Sequence, residues 1–126
     1  MNNDTVLLRQ IHPSFIQHGR VTSQAFRPTP KDEHKLSMYD GDQISAERSF
    51  RHYTETLCFA SVAVLGVTAI ECQELDLLVV PDPESFIEHV LIDYSAFDKN
   101  VVEKKAKLLK AKSETRGWLF RDSSTF

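Results

Sequence analysis

A chain of 126 residues with 41% hydrophobic content has the size and apolar fraction of one domain built around a single core. Its formal charge of -3 and pI of about 5.9 withhold the overall cationic field that nonspecific binding to nucleic acid or anionic membrane requires. No run approaches the roughly 18 apolar residues of a spanning helix, and MNNDTVLLRQ lacks the pattern of a signal peptide, so no membrane association and a cytoplasmic address are expected.

VLLRQI (6–11) has the length and apolar content of a first strand, and His12-Pro13 ends it because proline has no backbone donor. A turn at His18-Gly19 leads into RVTSQAF (20–26), read as a second strand with mixed faces: Val21, Ser23 and Ala25 on one side, Thr22, Gln24 and Phe26 on the other. Such a strand suits a sheet edge or the lining of a cleft, and an exposed edge there would allow a homodimer. Arg27-Pro28-Thr29-Pro30 runs extended, since proline pushes its predecessor out of helical conformations. LSMY (36–39) predicts a short third strand before the turn at Asp40-Gly41-Asp42.

Ser45 predicts a helix N-cap, with Glu47 in the first turn and Ala46, Phe50, Tyr53 and Leu57 on the buried face. Arg48, Arg51 and His52 then fall on the solvent side. SVAVLGVTAIECQ (61–73) is rich in β-branched residues and apolar on both faces, which predicts a central strand, with Gly66 marking a bulge or a close approach. LDLLVV (75–80) is expected beside it across a tight turn. Asp82-Pro83-Glu84 has the signature of a short helix, followed by a strand at VLIDY (90–94). Asn100 with Glu103 predicts the start of a last helix, whose apolar stripe is Val101, Val102, Ala106, Leu108 and Leu109 and whose end is Gly117. GWLF (117–120) can return to the sheet, leaving residues 121–126 as a frayed tail. The sum is a single α+β domain over residues 1–126, with a mixed, mostly antiparallel sheet of five to seven strands packed by two principal helices.

Charge is unevenly distributed along this chain. From Arg9 to Lys35 there are five Lys/Arg against two acids, a surplus of +3, while Glu71 to Asp98 carries eight acids and no Lys or Arg. The acidic stretch can meet a basic protein partner, with Glu71, Glu74, Asp76, Glu84 and Glu88 as charged contacts and Phe86 and Tyr94 as apolar anchors. That supports a small interaction module of antitoxin, immunity or adaptor type. The alternative is a nucleotide- or RNA-processing enzyme, or a nucleotide sensor, in which Arg9, His12, Ser23, Arg27 and Lys31 form a cationic site for a phosphate-containing ligand.

Other chemistries find little support. Four scattered glycines exclude a Walker loop or dinucleotide fingerprint, and no HExxH or paired-cysteine spacing exists, so no cofactor and no metal are expected. Ser14, Ser23 and Ser37 lack the flanking glycines of a nucleophile elbow. Cys58 and Cys72 read as reduced core thiols, Cys72 on a buried strand where it stays protonated.

Overall fold

The computed structural model of the chain describes residues 1–123, and at its centre lies a six-stranded antiparallel sheet. Its strands are β1 (Val6–Ile11), β4 (Lys35–Asp40), β5 (Ala63–Thr68), β6 (Leu78–Pro81), β7 (His89–Asp93) and β8 (Phe120–Arg121). In space they run β6-β7-β4-β1-β5-β8, while β2 (Ile16–Gln17) and β3 (Arg20–Val21) form a separate small hairpin. The α+β expectation therefore holds, with every neighbouring pair antiparallel.

Alternation along the strands gives the sheet two packed faces. Leu7 and Ile11 of β1 join Leu36, Met38, Leu65, Val67 and Ile92 in the larger core, which α3 (Lys99–Arg116) covers with Val102, Ala106 and Leu109. Leu8, Tyr39 and Val64 form the opposite core, covered by Ala46 and Phe50 of α1 (Ala46–Arg51) and by Tyr53 on a π-helical turn, His52–Thr56, that continues it. The two principal helices thus lie on opposite faces. Ser45 caps α1 as expected, its hydroxyl accepting from the Arg48 N–H at 3.2 Å. Asp98 instead of Asn100 caps α3, because its carboxylate meets the Val101 N–H at 3.0 Å, and Gly117 closes the helix at φ +89°. Leu108, expected in the apolar stripe, is exposed.

Four expectations are revised by local chemistry. RVTSQAF pairs only at Arg20–Val21, and Ser23–Phe26 curls into a 3-10 turn that buries Ala25 and Phe26 against the larger core. The apolar run from residue 61 stops being a strand at Thr68. There a reciprocal capping box forms, with the Thr68 hydroxyl accepting from the Glu71 N–H at 3.3 Å and the Glu71 carboxylate from the Thr68 N–H at 2.8 Å, and it starts α2 (Ala69–Gln73). That helix carries the chain to the far edge, so β6 lies beside β7 and not beside β5. Asp82-Pro83-Glu84 is a turn without helix, the Asp82 carboxylate being engaged by Ser85 and His89.

Gly66 fulfils the close-approach expectation: a Cβ there would stand 2.6 Å from Leu119 Cδ1 and 2.7 Å from Val6 Cγ1. Cys72 is buried, but Cys58 is exposed beyond the π-helical turn instead of lying in the core. Arg121 of the expected tail pairs in β8, and residues 124–126 lie outside the described residues. Among the described residues, no helix is long and apolar enough to cross a membrane.

Candidate functional site

β1 and β4 lie side by side at the middle of the sheet, yet their ladder pairs only Leu7 with Asp40 and Leu8 with Tyr39. On their outer sides, β1 pairs with β5 from Val6 to Ile11 and β4 with β7 from Lys35 to Tyr39. A seam therefore opens between β1 and β4 beyond Leu8. Arg9 occupies it: its Nε donates to the Ala25 carbonyl at 2.7 Å and one terminal nitrogen to the Ser37 carbonyl at 2.9 Å, with Phe15 under the guanidinium at 5.9 Å. A side chain here does the hydrogen bonding that a strand does elsewhere. Burial pulls the Arg9 guanidinium below its ordinary value, with partial compensation from Tyr53, Tyr94 and Asp32.

The seam opens into a cleft of about 620 Å³, within the ordinary range for small-molecule sites. One part of the lining comes from the connection before β4, with Arg27, Pro28, Thr29 and Asp32, and from Lys35 at the start of β4. Together with Arg9 this gives three cations to one carboxylate. Asp32 is itself engaged by the Thr29 hydroxyl at 2.9 Å, while the Arg27 Nε is buried without a hydrogen-bond partner among the described residues. Another part is aromatic, with Tyr39, Tyr53, Phe59 and Phe86. Tyr39, Phe86 and His52 stack on one another, with Phe86 5.0 Å from Tyr39 and 4.8 Å from His52, and the Tyr39 hydroxyl meets His52 Nδ1 at 2.7 Å. His52, expected on the solvent side, is drawn inward by that bond. Burial first, then Tyr53 and Glu88, raise the Tyr39 phenol well above its usual range, so it stays protonated.

At the floor of the aromatic wall, three strands contribute one hydrogen-bonded chain. Ser37 of β4 and His89 of β7 are diagonal cross-strand neighbours, and Ser37 Oγ lies 3.1 Å from His89 Nε2. His89 Nδ1 lies 2.9 Å from Asp82 Oδ2, just past β6, and the Ser85 hydroxyl donates to the same oxygen at 2.9 Å. The bonds from Ser85 and then His89 hold the Asp82 carboxyl below its usual range. Phe86 covers the imidazole at 4.7 Å.

No protein family, curated protein or solved structure matches this chain.

The site expected between residues 9 and 35 converges in part. Arg9 and Arg27 line the cleft, and Lys31 lies at a shallower depression beside it that also touches Lys35 and Ser37. His12 does not reach the cleft: its Nδ1 accepts from the Ser14 N–H at 3.0 Å, capping a 3-10 turn on the surface. Ser23 lies in the 3-10 turn and outside the cleft lining.

The expected acidic contacts and their apolar anchors take up several different environments. Glu71 caps α2 and takes Arg116 at 3.1 Å, and these bonds override the effect of burial and hold its carboxyl below the usual range. Tyr94, expected as an exposed anchor, is fully buried and donates to the Phe26 carbonyl at 2.7 Å. Phe86 belongs to the cleft. Glu74 and Asp76 are exposed on the segment before β6, and Glu84, exposed, and Glu88, half-buried, lie on the segment after it.

Ser37, His89 and Asp82 are the residues the sequence did not bring together, because 45 positions separate Asp82 from Ser37 and 52 separate His89 from it. The β4–β7 register joins Ser37 to His89, and the β6–β7 turn brings Asp82 to His89. Among the described residues, no cluster of His, Cys, Asp and Glu suits a metal ion.

Proposed function

We propose that the seam cleft binds a small anionic ligand carrying a planar ring, of the nucleotide class. The observation that carries this reading is the lining of one cleft by both cations, Arg9, Arg27 and Lys35, and aromatic rings, Tyr53, Phe59 and Phe86. Cations attract phosphate and their guanidinium forks match its oxygens, while aromatic faces accept a heterocyclic ring. Arg27 supports it further, since among the described residues its ion pair, to Glu103, spans 3.6 Å and its side chain is still partly open to solvent. The loose pairing leaves guanidinium N–H groups able to turn to a ligand oxygen.

The interaction-module reading has weaker support, since Tyr94 is buried and Glu71 is spent on a helix cap. A nucleotide panel (AMP, ADP, ATP) separates the two by thermal shift and calorimetry at low salt. Binding at 100 times Kd stabilises the fold by about 2.7 kcal/mol. Arg27→Gln should weaken binding about tenfold or more, and Lys104→Gln on the exposed side of α3 should leave it unchanged. No shift with any nucleotide at millimolar concentration, or equal loss in both variants, would remove the proposal.

A further inference from the structure

The Ser37–His89–Asp82 chain has the connectivity of a nucleophile, a general base and an orienting carboxylate, a constellation recognised by geometry and roles and not by chain order. Asp82 is a carboxylate and therefore accepts from His89, so Nδ1 carries the proton and Nε2 is the acceptor facing the Ser37 hydroxyl. Ser37 is exposed and lines the cleft, whereas His89 is only 8% exposed beneath Phe86. A base shielded from water with its nucleophile open to the cleft is the disposition that acyl transfer needs.

Donors for a developing oxyanion are present at the same place. Asp40 N–H donates to the Glu88 carbonyl at 2.8 Å and Tyr94 N–H to the His34 carbonyl at 3.0 Å, so even-numbered residues around β4 turn their backbone groups toward β7. Ser37, an odd position, turns its N–H and C=O the other way, into the seam, as the bond from Arg9 to its carbonyl confirms. The Ser37 amide and the Arg9 guanidinium thus face the seam beside the nucleophile.

We infer that Ser37, His89 and Asp82 form a catalytic site that hydrolyses acyl esters or thioesters whose leaving group carries phosphate. The substrate class rests on the reading of the cleft as an anion and ring site; the catalytic chain itself does not. In the first step Ser37 Oγ bonds to the carbonyl carbon and its proton passes to His89 Nε2. The bond from that carbon to the leaving oxygen or sulfur then breaks, and the leaving group departs with the proton from His89. Water next attacks the acyl-serine, giving its proton to His89, and the Ser37 Oγ–carbon bond breaks as Oγ recovers that proton. Ester and water become acid and alcohol, with no oxidant or reductant.

A fluorophosphonate probe tests the chain without knowledge of the substrate, because only an activated serine captures it. Intact mass and peptide mapping of the full chain should locate one adduct on Ser37, absent in Ser37→Ala. Asp82→Asn changes a carboxylate on a surface turn, and its fold is checked by circular dichroism. It should slow labelling by about 10²-fold or more, since the imidazole loses its fixed tautomer. No adduct on Ser37, or labelling at an unchanged rate in folded Asp82→Asn, would overturn the inference. A Ser37 adduct in a protein that binds no nucleotide would uphold the catalytic chain and remove only the ligand class.

Discussion

Replacing Arg9 by leucine tests whether a side chain closes the seam. Two carbonyls, of Ala25 and Ser37, lose their donors. A buried acceptor left without its partner costs about 1–3 kcal/mol. The Ala25 carbonyl, part-buried, belongs toward the upper end; the Ser37 carbonyl, on the open side, takes water from the cleft and belongs near the lower. Loss of the contact with Phe15 adds about 0.5–1 kcal/mol. The leucine no longer has to strip water from a guanidinium, which offsets part of the sum, so the net destabilisation is about 2–3 kcal/mol. For a domain of this length that is a Tm drop on the order of 10 °C. Urea unfolding followed by circular dichroism measures it, with Arg48→Leu on the exposed side of α1 as a control expected within about 0.5 kcal/mol of wild type. If Arg9→Leu matched that control, the guanidinium would be an ornament and the seam would be closed by backbone alone.

The two cysteines should separate cleanly under a thiol reagent: Cys58 is exposed, whereas burial and then Glu71 push the Cys72 thiol up to about 12, so native protein should yield one fast thiol and urea-unfolded protein two. Glu71→Gln should lower stability at pH 7, because a carboxylate depressed in the folded state stabilises it above the unfolded value of about 4.3. That contribution is lost as pH falls through the folded value, so urea midpoints of variant and wild type should converge by pH 3, and a constant gap would exclude the Arg116 and Thr68 contacts as its source. Tyr94→Phe leaves the Phe26 carbonyl without its donor and should cost about 1–3 kcal/mol in urea unfolding with an unchanged m-value; a neutral result would mean that carbonyl finds water.

Elements with local signals were legible in the sequence. VLLRQI and the strand after residue 88 announce themselves by length and apolar, partly β-branched content, LSMY by its place before the Asp40-Gly41-Asp42 turn, and Ser45 and Gly117 by the chemistry of helix ends. The apolar run from residue 61 misled because periodicity cannot tell a buried strand from a strand followed by a short buried helix; the Thr68-x-x-Glu71 capping box was the discriminating signal and lay in plain view. The second strand failed for a different reason, since burial of Ala25 and Phe26 against α3 outweighs the alternation of RVTSQAF. For the site, Arg9 and Arg27 were legible as cations near the first strands. Ser37 with His89 was not, because their meeting depends on a register between strands about 50 positions apart, and no local pattern encodes it.

The seam also bears on how the protein opens. β6-β7-β4 and β1-β5-β8 share a short ladder, Leu7 with Asp40 and Leu8 with Tyr39, extended by the Gly41 N–H donating to the Val6 carbonyl at 2.8 Å, while the β1–β5 and β4–β7 ladders on either side are longer. The short ladder between β1 and β4 is therefore expected to open at lower cost than the longer ladders that flank it. In native-state hydrogen exchange, the amides of Leu8 and Tyr39 should give way before those of Val64 and Ile92. Such an order of exchange would mean a sheet that opens from its middle, where most sheets fray from their rims.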